Sequence, residues 1–269
     1  NKSSDYMKSL ITFVQGKPMQ LLLNHQALGF CHAPVCAQRK DKSDRSEMVS
    51  QLTFGETFEV ISQEEHWIEL RTLNDGYQGF VDRRHLCGMT EKELLRWHDE
   101  RRLLTQFNLI LNSKVGMLQI PGGAYIGHSE SFNIGPFSFQ MLTPYPSHAL
   151  DLNSFINIPY LWGGKSTFGF DCSGLTQLYF RYKGINLGRD ASEQQTQGTD
   201  ITLNEVEYED IVFFQNDSGT INHVGIYWNN NQIIHCSGRV RIDSLIDGNI
   251  FNAELNEITH RFHSIKRLL

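Results

Sequence analysis

The sequence predicts an α+β protein in which a helix-bearing segment after residue 150 follows a stretch of short β-rich segments. Two observations carry this. After residue 172 apolar side chains recur at helical spacing, as Leu175, Leu178, Tyr179 and Tyr182, and Gly184 supplies a stop. Elsewhere, short runs of β-branched and aromatic residues are broken by turn residues.

The helix opens on a lone cysteine. Cys172 falls in its first turn, just behind a loop that carries Tyr160, Trp162, Gly163 and Gly164. Unpaired backbone N–H groups and the positive end of the dipole at that place favour thiolate over thiol, and the thiolate is the nucleophile. Downstream, residues 222–228 and 232–237 read as strands, with Asn229, Asn230 and Asn231 between them as a tight turn. A three-residue loop sets Trp228 opposite Gln232 and Gly225 opposite His235. His223 then lies diagonally from His235 on the same face. A register slip of one residue would put the two rings on opposite faces. Gly225 leaves room for a ring. A cysteine, a histidine base and a second histidine that fixes the base's tautomer suit nucleophilic catalysis. The same three side chains are also ligands that zinc accepts. No paired-cysteine spacing supports that alternative, and no metal or cofactor is expected.

Composition bounds the function. The chain has 269 residues, 40% hydrophobic and 20% charged, with a formal net charge of −6. Its Lys and Arg residues are scattered, which argues against a nucleic-acid surface. The longest apolar runs are far too short to span a bilayer. No signal peptide is read, and a removed leader is left open. The five cysteines are Cys31, Cys36, Cys87, Cys172 and Cys236, an odd number that leaves at least one free thiol. Pairing of Cys31 or Cys36 with Cys87 is one reading, and unpaired thiols are the other. Cys236 follows His235 on its strand and is expected to face away from the site.

Five separated motifs then fall into a known order: Tyr160-x-Trp-Gly-Gly, Phe170-Asp-Cys-Ser-Gly, Arg189-Asp190, His223-Val-Gly-Ile-Tyr and Ile234-His235. Together they resemble the NlpC-type family of cell-wall cysteine peptidases over about residues 150–269. The resemblance implies a papain-like fold, helices packed on an antiparallel sheet. It implies hydrolysis of the γ-D-glutamyl–diamino acid bond in peptidoglycan stem peptides. It makes Cys172 the nucleophile, His223 the base, His235 the third member, and Tyr160 a residue near the oxyanion. Asp171, Ser173 and Asp190 match groove positions, and Trp162 reads either as a groove wall or as a core residue. Relatives often have serine directly after Arg-Asp. Here that residue is Ala191, and Ser192 offers the hydroxyl instead.

The first half reads differently. Residues 51–86 contain Phe58-Glu-Val-Ile61, Trp67-Ile-Glu-Leu70 and Asp75-Gly-Tyr-Gln-Gly-Phe-Val81. This run resembles a bacterial SH3-like β-barrel, with Phe80 in place of the usual tryptophan. Residues 91–107 are charged and helix-prone, a connector. Residues 109–142 form a second set of short strands, read as a divergent SH3-like barrel. The expected domains are therefore 1–88, 89–147 and 148–269. In relatives of this order the first barrel closes one end of the groove around a free L-alanine amine. The resemblance carries that role to Glu47 and Tyr77, with Asp190 adding a second carboxylate. A carboxylate suits an ammonium, because the charge-assisted bond is strong. The alternative is that the barrels only anchor the enzyme to the wall.

The resulting expectation is a cysteine peptidase of murein peptides that begin with free L-Ala, acting as a monomer in the cell envelope or in peptide recycling. An amidase or acyltransferase on the same scaffold, and a wall-binding protein with an inactive peptidase, are the other classes. The diamino acid, meso-diaminopimelate or lysine, is left open.

Overall fold

The structure is a computed structural model that describes residues 27–145 and 150–268. The chain divides into two compact units, residues 1–147 and residues 148–269.

In the first unit, seven strands come first: β1 (Leu28–Cys31), β2 (Val35–Arg39), β3 (Met48–Thr53), β4 (Thr57–Gln63), β5 (Trp67–Thr72), β6 (Gln78–Asp82) and β7 (Leu86–Met89). They form one antiparallel sheet in the order β3-β2-β6-β5-β4-β1-β7. Helix α1 (Glu91–Glu100) follows, opened by a capping box in which Thr90 and Glu93 exchange hydrogen bonds. It is shorter than the predicted connector, and its Trp97 is buried, donating to the Gly55 carbonyl at 2.8 Å. The remaining strands are β8 (Arg101–Leu103), β9 (Asn108–Ser113), β10 (Gly116–Pro121), β11 (Tyr125–Gly127), β12 (Ser131–Ile134) and β13 (Phe137–Met141). They pair as β10-β9-β13-β12 and β11-β8.

One hydrophobic cluster joins Phe30, Phe54, Cys87 and Met89 to Trp97, Leu111, Ile126 and Phe139. The segments on either side of residue 88 therefore share a core. Each small sheet has an apolar face too large to leave in water, and burying the two against each other removes both from solvent. No disulfide forms among the five cysteines. Cys31 Sγ lies 3.6 Å from Cys36 Sγ, while the Cys87 thiol turns to the Gly88 carbonyl at 3.5 Å.

The second unit contains the hairpin β14 (Lys165–Ser166) and β15 (Gly169–Phe170), then helix α2 (Cys172–Tyr182) and the short helix α3 (Ala191–Gln194). Six strands follow: β16 (Thr199–Ile201), β17 (Ile211–Gln215), β18 (Ile221–Tyr227), β19 (Gln232–Ser237), β20 (Arg239–Ile246) and β21 (Asn249–Asn252). The last strand is β22 (Glu257–Arg267). The sheet runs β16-β22-β17-β18-β19-β20-β21, and β22 pairs with β21 as well. Strands β17 to β22 thus close into a ring. The eleven-residue β22 makes this possible: its later half pairs with β17 and its earlier half with β21. The expected antiparallel sheet under helices is present, but it curls until its edges meet, which removes two exposed edges.

Alternate side chains separate two cores. Val224, Ile226, Ile234, Cys236 and Val240 face α2 with Leu175, Leu178 and Phe180. Val212, Phe214, Tyr227, Ile233, Ile250 and Ile265 fill the inside of the ring. Helix α2 follows the predicted apolar period, yet its polar side chains are buried too. Thr176 donates to Gln194 Oε1 at 2.7 Å and Gln177 donates to the Leu187 carbonyl at 3.1 Å, so burial leaves these donors satisfied. At its end Gly184 takes φ +81°, a left-handed conformation that a side chain would disfavour.

Candidate active site

Cys172 stands at the first position of α2, and Asp171 caps the helix by accepting from the Gly174 N–H at 2.7 Å. The loop before it is held by close backbone packing. A Cβ at Gly174 would sit 2.0 Å from the Gly164 carbonyl oxygen, so this approach admits only glycine. A Cβ at Gly164 would in turn sit 2.5 Å from the Gly169 carbonyl oxygen, so that position is closed to side chains as well.

Asp171 does more than cap. Its two carboxylate oxygens accept from Gly174 N, Ser173 Oγ at 3.2 Å, Gly163 N at 2.9 Å and the Arg189 guanidinium at 3.0 and 2.5 Å. Arg189 is 1% exposed and also donates to Ser173 Oγ at 2.9 Å. Asp171 and Ser173 were expected to line the groove. Both are instead buried and saturated by protein groups, so they fix the loop and the helix start. A buried carboxylate in this position needs those donors, and they leave it no capacity for a ligand.

The histidine hairpin has the register that a three-residue loop dictates. Trp228 N–H donates to the Gln232 carbonyl, Gly225 faces His235, and Asn230 and Asn231 take φ of 45° and 56°. His223 and His235 lie on one face with Nε2 and Nδ1 2.8 Å apart. Strands β18 and β19 pair from Tyr227–Ile233 to Gly225–His235 and then part. The Cys172 thiol lies close enough to the backbone N–H of Val224, the residue after His223, and to that of Ser173 for both to favour its anion.

Three further residues complete the cluster. His235 Nε2 donates to Asp243 Oδ2 at 3.0 Å, and Arg241 donates to Asp243 Oδ1 at 2.9 Å. The His260 ring stacks on His223 with centroids 4.0 Å apart and planes at 28°. Sequence reasoning missed Asp243, Arg241 and His260. The first two lie on β20 across from the histidine hairpin, and their signal is the alternation that puts Arg241 opposite His235. His260 lies on β22, and only closure of the ring brings it near.

Burial sets the charges. It pushes the Cys172 thiol up to about 12, with the Asp171 carboxylate adding to the effect, and the Val224 N–H, Arg189 and Ser173 N–H oppose it only in part. The sequence expectation of a resting thiolate is therefore corrected: desolvation outweighs the helix terminus. Burial also lowers His223 well below the ordinary histidine value, helped by His235 and His260, and it lowers His260 to about 4. Burial raises Asp243, but the hydrogen bonds from His235 and Arg241 win and hold its carboxyl below the usual range. At rest the thiol and the His223 imidazole are both neutral, with the charge kept on Asp243 and Arg241. With Asp243 taking the proton on His235 Nε2, His235 Nδ1 is an acceptor. His223 must then carry its proton on Nε2, which leaves Nδ1 with a lone pair.

The other expected residues are placed as follows. Tyr160 is half-buried, and burial raises its phenol, with the Cys172 and Asp171 charges adding to this. Trp162 is 60% exposed, which removes its reading as a core residue. Asp190 caps α3 and is partly exposed, and Ser192 is exposed on that helix. Cys236 faces the opposite side from His235 but not away from the site as expected: its thiol lies on the Phe170 carbonyl at 3.2 Å, on the side of α2 and near enough to Cys172 and Asp171 to feel their charges. Glu47 and Tyr77 lie in the first unit. Glu47 is exposed, 3.8 Å from Lys40, and Tyr77 precedes β6 with its carbonyl accepting from Gln38 at 3.1 Å.

Comparison with known proteins agrees with this arrangement. Residues 157–259 match the NlpC/P60 family, and residues 39–86 match the bacterial dipeptidyl-peptidase Sh3 domain. A gamma-D-glutamyl-L-lysine dipeptidyl-peptidase of Bacillus subtilis is 40% identical over 83 residues, 30% of this chain and 28% of that one. Its counterpart in Bacillus cereus is 36% identical over 83 residues, 30% and 25% of the two chains. A probable endopeptidase NlpC of Escherichia coli is 41% identical over 88 residues, 32% and 57%. The chain thus spans little more than a quarter of the first two relatives and somewhat over half of the third. The crystal structure of an NlpC/P60 family protein from Bacillus cereus superposes with a TM-score of 0.73 at 18% identity, covering 90% of this chain and 99% of that one. An NlpC/P60 endopeptidase from Photobacterium damselae subsp. piscicida gives 0.64 at 17%, covering 90% and 71%. These two likenesses concern the fold. Residues 157–259 of the second unit, with the cysteine at a helix start and the paired histidines, are therefore an NlpC/P60 domain, and a bacterial dipeptidyl-peptidase SH3 domain precedes it.

Proposed function

We propose that this protein is a cysteine peptidase that hydrolyses the γ-D-glutamyl–diamino acid bond of peptidoglycan stem peptides. The observation that carries the reading is a cysteine at the first position of α2, near the backbone of Val224, with the neighbouring His223 held through Nε2 by His235 at 2.8 Å. With Nε2 committed, His223 Nδ1 is the nitrogen that takes the thiol proton as sulfur attacks the glutamyl carbonyl. The Cys172 N–H and the Tyr160 hydroxyl serve as oxyanion donors, and loss of one such donor costs about 10²–10³ in rate. Protonated His223 then delivers its proton to the departing amine of the diamino acid. The same nitrogen activates the water that releases the thioester. His235, Asp243 and Arg241 hold the base in its tautomer and stabilise its positive charge.

The names of the Bacillus relatives support the γ-D-glutamyl bond. The finer proposal is that the substrate begins with free L-alanine. Asp190, partly exposed at its helix cap, offers a carboxylate to that ammonium, and Glu47 and Tyr77 are candidates by resemblance alone. Such an enzyme trims released peptides in the envelope or during recycling. The test is incubation of the full chain with L-Ala-γ-D-Glu-diamino acid, with its N-acetyl form and with intact sacculi, read by mass spectrometry. Release of L-Ala-γ-D-Glu from the free peptide is expected. Acetylation should cost about 3 kcal/mol or more, as when a buried charge pair is broken. No cleavage of any stem peptide would overturn the proposal, and equal cleavage of free and acetylated peptides would overturn its selectivity.

A further inference from the structure

We propose that the inner end of the strand ring is a zinc site that switches the peptidase off. The site is made by His223, His235 and His260, each of which offers a ring nitrogen, and the three nitrogens lie within 4.8 Å of one another. Imidazole nitrogens bound to one tetrahedral zinc sit about 2.0–2.1 Å from the ion and so roughly 3.3 Å apart, so the His260 ring must turn out of its stack on His223 for both rings to point at one ion.

The surroundings are those of a metal site. His235 Nε2 is held by Asp243, which turns the lone pair of Nδ1 toward His223. A carboxylate behind a histidine is the usual outer support of a zinc ligand; it fixes the ring and raises its basicity. His260 Nδ1 is held by the Thr259 hydroxyl at 2.9 Å, which leaves Nε2 for a ligand. Two of the three nitrogens therefore already present lone pairs. His260 is the most accessible of the three and gives the ion an entry. A ligand set of three imidazoles favours zinc and its neighbours over magnesium or calcium.

The third nitrogen explains the inhibition. His223 carries its proton on Nε2, between itself and His235. An ion bound there takes the Nε2 lone pair, and the ring's proton moves to Nδ1. No proton leaves the ring and no bond in the chain breaks. Nδ1 has then lost the lone pair that accepts the Cys172 proton. This last step rests on the reading of His223 as the base, whereas the metal site does not.

The experiment is calorimetric titration of the full, chelator-treated chain with Zn²⁺ alone. One ion per chain is expected. His260→Phe, which keeps a ring on His223, should weaken binding at least about tenfold, and so should Asp243→Asn. Cys172→Ala should leave it unchanged. Zn²⁺ should inhibit stem-peptide hydrolysis reversibly by chelator, and whatever fraction of hydrolysis His260→Phe retains should resist the ion. Should His260→Phe fail to fold by circular dichroism, His260→Gln serves in its place. Absence of stoichiometric binding, binding indifferent to residue 260, or binding abolished by Cys172→Ala would each overturn the proposal. Calorimetry needs no turnover. A chain that binds zinc at these histidines yet cleaves no stem peptide would refute the peptidase reading and leave the site standing.

Discussion

Replacing Arg189 with methionine should destabilise the second unit severely. The side chain of Arg189 is 1% exposed and that of Asp171 12%, and the guanidinium supplies two of the five hydrogen bonds that the carboxylate accepts. Methionine keeps most of the volume and removes every donor. Asp171 is then left charged in a site closed to water, and Ser173 Oγ loses the same partner. Stripping one member from a buried pair costs about 3–5 kcal/mol, against about 0–1 kcal/mol for an exposed pair. At about 1.4 kcal/mol per factor of ten, the unfolded-to-folded ratio should rise roughly a hundredfold to several thousandfold. Urea unfolding of the full chain, followed by circular dichroism and tryptophan fluorescence, measures this as a fall in midpoint. Asp171→Asn in the same background removes the orphaned charge and should recover part of the loss, about 1 kcal/mol or more, as a coupling in the double-mutant cycle. A cost below about 1 kcal/mol for Arg189→Met, or strictly additive effects, would refute the argument that a buried ion pair organises the loop ahead of Cys172.

Cys172→Ala should abolish hydrolysis with the fold intact, and iodoacetamide should label Cys172 first, since this thiol, though largely desolvated, is the most accessible of the five. With that thiol pushed up to about 12, the labelling rate should keep rising well above neutral pH; mass spectrometry of labelled peptides checks both points. Gly174→Ala should cost about 3 kcal/mol or more in thermal unfolding, because its Cβ would meet the Gly164 carbonyl at 2.0 Å and backbone cannot rotate aside. The acid limb of kcat/KM should fall well below pH 6.5, since burial keeps His223 neutral there. Stability should drop as pH falls from about 6.5 toward about 4: unfolded imidazoles take up protons that buried His223 and His260 refuse, and His260→Phe should make this pH slope shallower.

The local chemistry was legible in the sequence because it depends on neighbours along the chain. Helical spacing placed Cys172 at the start of α2, and three asparagines fixed a hairpin register that put His223 and His235 on one face. Both follow from backbone periods of 3.6 and 2 residues. The ordered motifs identified the family for the same reason, since each lies within one turn or one strand. What the tertiary structure alone decided depends on strands far apart in sequence. Ring closure through the two halves of β22 stacks His260 on His223, and β20 brings Asp243 and Arg241 behind His235. The fold of residues 157–190 buries Arg189 against Asp171 and turns two expected groove residues into supports. The protonation of the thiol was decided there too. A helix start draws a thiol toward its anion, but the amount of water removed around it is a property of the packed molecule, and here desolvation is the larger effect.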